Sequence, residues 1–285
     1  MKTLFLPAFD LASFRAAFDA AVMLARKDQR GGHIMAHHPL EPLFAVVQRY
    51  PGVLEDDLYA EARAFEERLA SSLGAAWEEA CQENGVLRTG AEEAGQDGRV
   101  SSSWTMTPGH RGTLGLAARQ ADVSIVAAGG TGQDPVDGTF REELLLSSGR
   151  PALFLPQGGW EALPPAALIA WDGSREAARA VTAALPILRL VPRIAVATVG
   201  EGEEGAPGAD AIAAYLRRHG MAPAVRVIER PDGRTEDCLR AEARDMGASL
   251  IIMGAYASQR WRELAFGGVT RAMLFDTEFS VLMAE

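Results

Sequence analysis

Leu250-Ile-Ile-Met-Gly254-Ala-Tyr-Ala-Ser-Gln-Arg-Trp-Arg-Glu-Leu-Ala-Phe-Gly267-Gly268-Val-Thr270 decides how the rest of the chain is read. An apolar run containing Ile251, Ile252 and Met253 ends at Gly254, a long loop follows, and Gly267 and Gly268 open a stretch of helical character. At such a strand–loop–helix junction the first backbone N–H groups of the helix are unpaired and the helix dipole adds partial positive charge. That chemistry suits an anionic phosphate.

Working outward, the strand at the head of this segment has a double. Ala118-Arg-Gln-Ala-Asp-Val-Ser-Ile-Val-Ala-Ala-Gly129 aligns without gaps to Ala243-Arg-Asp-Met-Gly-Ala-Ser-Leu-Ile-Ile-Met-Gly254. Leu4-Phe-Leu-Pro-Ala-Phe-Asp10 likewise parallels Ala167-Leu-Ile-Ala-Trp-Asp172, each a short apolar strand reaching an aspartate. Each half closes on another short apolar strand, Pro151 to Leu155 and Val281 to Ala284. A repeat of domain length means duplication rather than a solenoid. The Gly- and Pro-rich run Pro156 to Pro165 reads as the linker, giving domains 1–156 and 166–285.

In the second half the pattern predicts strands near 166–171, 193–199, 224–229, 249–254 and 279–284, with helices near 174–190, 208–219, 235–246 and 268–276. Alternating strands and helices make a parallel sheet covered on both faces. Right-handed crossovers then leave few topologies. The expected architecture is α/β: two tandem doubly wound domains with five-stranded parallel sheets in the order 3-2-1-4-5. Its switch point lies between strands 1 and 4, where Asp172 and Gly254 would flank one crevice. In the first half, Tyr59 to Asn84 reads as one long helix and 100–106 as a third strand. The loop Gly130 to Thr139 is shorter than its counterpart, and Asp134 and Asp137 would repel phosphate. If either half binds nucleotide, it is the second.

Three features together resemble the universal stress protein family: Ile169-Ala-Trp-Asp-Gly-Ser174, the Gly254 to Thr270 segment, and the duplicated layout over nearly the whole chain. The family's loop is written G-x2-G-x9-G-[ST]. Gly254 and Gly267 fit it, Ala257 stands at its second glycine, and Gly268 replaces the hydroxyl residue. The resemblance implies the adenine-nucleotide-hydrolase-like architecture and a protein of the stress response. It also implies binding of an adenine nucleotide, ATP or AMP, with Mg accompanying it. The positions this carries over are Asp172, Gly173, Ser174, Met253, Gly254, Ala257, Arg260, Gly267, Gly268, Val269 and Thr270. Members dimerise through their last strands. Here that would pair Ala152 to Leu155 with Val281 to Met283 as an intramolecular pseudo-dimer, with a homodimer also open.

Each position has a structural alternative. Asp172 and Ser174 can turn the chain and cap the next helix. The glycine loop can serve packing alone. Arg260, Arg262 and Arg271 can neutralise phosphate, or pair with Glu263 and Asp276 as surface charges. A positive φ at Ala257 would cost about 1 kcal/mol. A lost hydroxyl contact costs about 0.5–1.5 kcal/mol. Together these weaken nucleotide binding by roughly ten- to hundredfold.

The net charge of −10 and pI near 5.1 exclude the electrostatic footprint of a non-specific DNA binder, and disfavour anionic membranes. Cys81 and Cys238 fit no metal or redox spacing and read as core thiols of a reducing compartment. The N-terminal run is broken by Pro7 and ended by Asp10, a strand rather than a signal peptide. No apolar stretch approaches the roughly 20 residues that span a bilayer. The expectation is cytoplasmic.

His33-Ile-Met-Ala-His37-His38 falls on the second strand of the first half, with His33 and His37 on one face. A metal would need a third ligand, so packing is the simpler reading and no metal is expected. No G-x-S-x-G, Walker A lysine or SGGxDS-type run is present. Binding without catalysis is therefore favoured. An ATP-dependent hydrolase or adenylating enzyme of similar fold is the alternative, and a ligand-free interaction module the third reading.

Overall fold

The computed structural model describes residues 1–27, 31–40, 56–90, 98–129, 135–200, 205, 207–229, 234–256, 268–276 and 278–285. The chain forms two compact units: Met1–Ser148 with Gln157–Gly159, and Gly149–Pro156 with Trp160–Glu285.

The first unit contains β1 (Thr3–Pro7), α1 (Leu11–Ala25), β2 (His33–Leu40), α2 (Asp56–Glu83), β3 (Leu87–Arg88), β4 (Ser101–Pro108), α3 (Leu114–Ala118), β5 (Val123–Ala127) and α4 (Pro135–Ser148). Its strands run in the order β3-β4-β2-β1-β5, and neighbours pair in parallel. Asp10 starts α1 by accepting from the Ser13 amide at 2.9 Å. Phe14, Ala17, Phe18 and Ala21 then recur at helical spacing and are buried to 1% exposure or less. The two-residue β3 was not anticipated. Both its residues are exposed and it lies at the sheet's outer edge, so no period-2 alternation marks it.

The second unit contains β6 (Ala152–Leu155), β7 (Ala166–Ala170), α5 (Arg175–Leu188), β8 (Arg193–Val199), α6 (Ala209–Arg218), β9 (Ala224–Ile228), α7 (Thr235–Asp245), β10 (Leu250–Gly254), α8 (Gly268–Leu274) and β11 (Ser280–Ala284). The parallel strands follow the order β9-β8-β7-β10-β11, which is 3-2-1-4-5 within this half, as expected. Leu168, Ile169, Ile251, Ile252 and Leu282 are wholly buried, as a sheet covered on both faces requires. β6 adds antiparallel to β11, with Val281 opposite Phe154 and Met283 opposite Ala152. This is the pairing of 152–155 with 281–283 expected from sequence. It covers an edge whose residues are all buried and apolar save Ser280, and an uncovered edge of that kind would invite aggregation.

Candidate functional site

At the carboxyl ends of β7 and β10 the chain places Asp172 and Gly254 on neighbouring strands, since Ile252 pairs with Ile169. This is the topological switch point, where the crevice of an open α/β sheet lies. Gly173 turns the chain at φ +86°, a backbone conformation that a Cβ disfavours. Asp172 Oδ1 accepts from the Ser174 amide at 3.0 Å and from its hydroxyl at 2.6 Å. Ser174 Oγ in turn accepts from the Ala177 amide at 3.1 Å, which caps α5. The capping role read from sequence is therefore present. Asp172 is exposed, and its Oδ2 has no hydrogen-bond partner among the described residues.

The first unit uses its equivalent aspartate differently. Asp10 Oδ1 accepts from the Ser13 amide and Oδ2 from the Ser13 hydroxyl, so both oxygens are committed to Ser13.

Gly254 is a glycine for a reason the sequence did not disclose. A Cβ there would lie 2.5 Å from the Ala177 nitrogen and 2.7 Å from the Glu176 carbonyl carbon. The first turn of α5 thus packs directly on the end of β10. Glu176, 5% exposed, lies beside this contact and pairs with Arg175 at 3.1 Å. A carboxylate in a helix's first turn is favoured by the dipole. Sequence reading passed over Glu176; its place two residues after the cap was the available signal.

On the far side of the loop, Thr270 is buried and its Oγ1 accepts from the Tyr256 amide at 3.4 Å. Tyr256 itself has φ +58°. The Thr270 hydroxyl therefore serves the loop's own backbone. Val269 is partly exposed, Met253 is buried in β10, and Gly268 is exposed with open space where a Cβ would stand. Ala257, Arg260 and Gly267 lie outside the described residues, as do Arg262 and Glu263. Asp276, a possible partner for a loop arginine, accepts from Arg240 Nε at 2.7 Å, and Arg240 also donates to the Ala272 carbonyl. That ties α7 to the end of α8. Trp171, next to Asp172, donates from Nε1 to the Pro207 carbonyl at 2.7 Å.

The three histidines of β2 are buried. Among the described residues, no group of three or more His, Cys, Asp or Glu side chains could hold a metal ion. His33 has Ser101 Oγ at 2.9 Å from Nδ1 and Ser103 Oγ at 3.0 Å from Nε2; His37 meets Thr107 Oγ1 at 3.1 Å. His38 donates from Nδ1 to the Ala8 carbonyl and stacks parallel to Trp104. Among the described residues, no helix is long and apolar enough to cross a membrane.

Two doubly wound parallel sheets, the second in the order 3-2-1-4-5 with an aspartate and a glycine at its switch point, define the class: an open α/β fold. No family model matches the sequence and no curated protein does. Solved structures do. A universal stress protein from Archaeoglobus fulgidus superposes with a TM-score of 0.62 at 15% identity, over 99% of this chain and 96% of that one. A protein from Pseudomonas aeruginosa UCBPP-PA14, provisionally described as a universal stress protein, gives 0.52 at 14% identity over 100% and 93%. A functionally unknown protein from Pseudomonas aeruginosa PAO1 gives 0.52 at 14% over 100% and 92%. The chain has the universal stress protein fold across its full length.

Proposed function

We propose that this chain is a universal stress protein that acts through binding and conformation, and that its second unit holds ATP or another adenine nucleotide weakly, with Mg accompanying it. The observation that carries this reading is the Oδ2 of Asp172 at the switch point, which no other described residue shares. A carboxylate oxygen there can accept from a ribose hydroxyl or an exocyclic amine while Oδ1 keeps the cap. The fold likeness supports the class of protein. Glu176 beside Gly254 adds negative charge near the site, in keeping with weak rather than tight phosphate binding. The resemblance assigns the phosphates to the loop positions Ala257, Arg260, Gly267 and Gly268, and the compartment is the cytoplasm. A homodimer is not required to cover β11, whose edge β6 occupies.

Native mass spectrometry of freshly purified protein tests the reading. The expected result is a minor adduct of adenine-nucleotide mass that saturates on adding Mg-ATP. No adduct at millimolar nucleotide would overturn it. Turnover faster than about 1 s⁻¹ would replace binding by catalysis.

A further inference from the structure

The first unit carries a feature that the nucleotide reading leaves unused. Strand β2 aligns with β4 so that His33 stands opposite Ser101, Met35 opposite Ser103 and His37 opposite Thr105. His33, Met35 and His37 share one face by strand alternation, and the residues of β4 on that face are hydroxylic: Ser101, Ser103, Thr105 and Thr107. His33 is 4% and His37 7% exposed. We propose that His33 and His37, buried on one face of β2 against the hydroxyl row of β4, form an acid-responsive device that loosens the β2–β4 pairing of the first unit while the second unit keeps its fold.

Serine and threonine hydroxyls rotate and can accept as readily as donate, so the hydrogen bonds survive protonation of the rings. Among the described residues the charge finds no partner. From β4 the rings meet only hydroxyls, and from β1 the neighbour of His37 is the Phe5 ring at 5.1 Å. Lys2, just before β1, donates to the Gly31 carbonyl and repels a proton on His33. No carboxylate among the described residues acts on either ring. Burial, with Lys2 adding to it at His33, holds each imidazole neutral down to about pH 4.

An imidazole exposed by opening takes its proton at the ordinary value of 6.5. Between those two values the open state binds protons that the closed state refuses, so stability falls as the pH drops from about 6.5 towards 4. From pH 7 to pH 5 the opening equilibrium rises by about twentyfold per ring, or by about four hundredfold for the two together. The strands of the second unit contain no histidine; its one histidine, His219, lies at the end of α6 against Tyr215. The two units therefore differ in their response within a single chain.

Hydrogen–deuterium exchange of the full chain at pH 7, 6 and 5 tests this, with the β7 and β10 segments as internal reference for the intrinsic pH dependence of exchange. Protection of 33–40 and 101–108 should fall by about two orders of magnitude or more relative to that reference. The double variant His33→Gln, His37→Asn should lose this differential response. Equal responses of the two units, or an unchanged response in the variant, would overturn the proposal. Should the variant not fold, imidazole C2–H exchange followed by mass spectrometry on the natural chain reads the same groups. Half-titration of both His33 and His37 below pH 5 supports the device, and values above 6 for both reject it.

Discussion

Asp172 holds Ser174 through a single carboxylate oxygen, taking both the amide and the hydroxyl of that residue on Oδ1. Ser174 passes the constraint on by capping α5 through the Ala177 amide. Ser174→Ala removes the cap acceptor and should destabilise the second unit by about 1 kcal/mol. Its thermal midpoint should fall by roughly 3–4 °C, read by differential scanning calorimetry.

Gly254 and Gly268 make opposite predictions under substitution. At Gly254 a Cβ meets the backbone of Ala177 and Glu176, which cannot rotate away. Gly254→Ala should cost about 1–3 kcal/mol, by urea denaturation. Gly268 has open space, so Gly268→Ser should fold as the natural chain does. If the loop is a weakened phosphate site, that serine should also tighten ATP by several-fold, a gain of about 1 kcal/mol for one hydrogen bond. An unchanged affinity would mean that the loop serves packing.

Arg240 shares a buried pair with Asp276, whose side chain is 2% exposed. Asp276 Oδ1 meanwhile accepts from the Glu278 and Phe279 amides at the entry to β11. Arg240→Met strips the partner from a buried carboxylate and should cost about 3 kcal/mol. Adding Asp276→Asn should recover part of the loss, and a double-mutant cycle measures how much.

The thiols should separate under alkylation. Cys81 is buried in α2 and pushed up to about 11, chiefly by that burial, so at pH 8 it stays protonated and unreactive. Cys238 is only partly buried. Iodoacetamide at pH 8 should label Cys238 first, with Cys81 labelled only on unfolding, as peptide mass mapping would show.

Much of the second unit was legible because its strands are short Ala-, Val- and Ile-rich runs punctuated by glycine. Strands read at 193–199 and 249–254 occur at Arg193–Val199 and Leu250–Gly254. The strand order followed from duplication and crossover handedness rather than from any one residue. What escaped was long-range or sub-periodic. β3 is too short to show a period. The partner of Asp276 lies 36 residues away on another helix. Gly254 stood between a phosphate position and a packing glycine, and what the sequence did not show is that its missing Cβ admits the first turn of α5. The juxtaposition of Asp172 and Gly254 at the ends of neighbouring strands was legible. The division of labour between the two oxygens of Asp172 was not, because it depends on how Ser174 turns.

Asp172→Asn bears most directly on the central claim. The asparagine carbonyl can keep the Ser174 cap on the Oδ1 side, while the other position changes from acceptor to donor. Isothermal titration with Mg-ATP should show weak binding to the natural chain and a loss of about ten- to hundredfold in the variant, as expected for a hydrogen bond to a charged acceptor. Equal affinities, with the variant's thermal midpoint unchanged, would contradict the account.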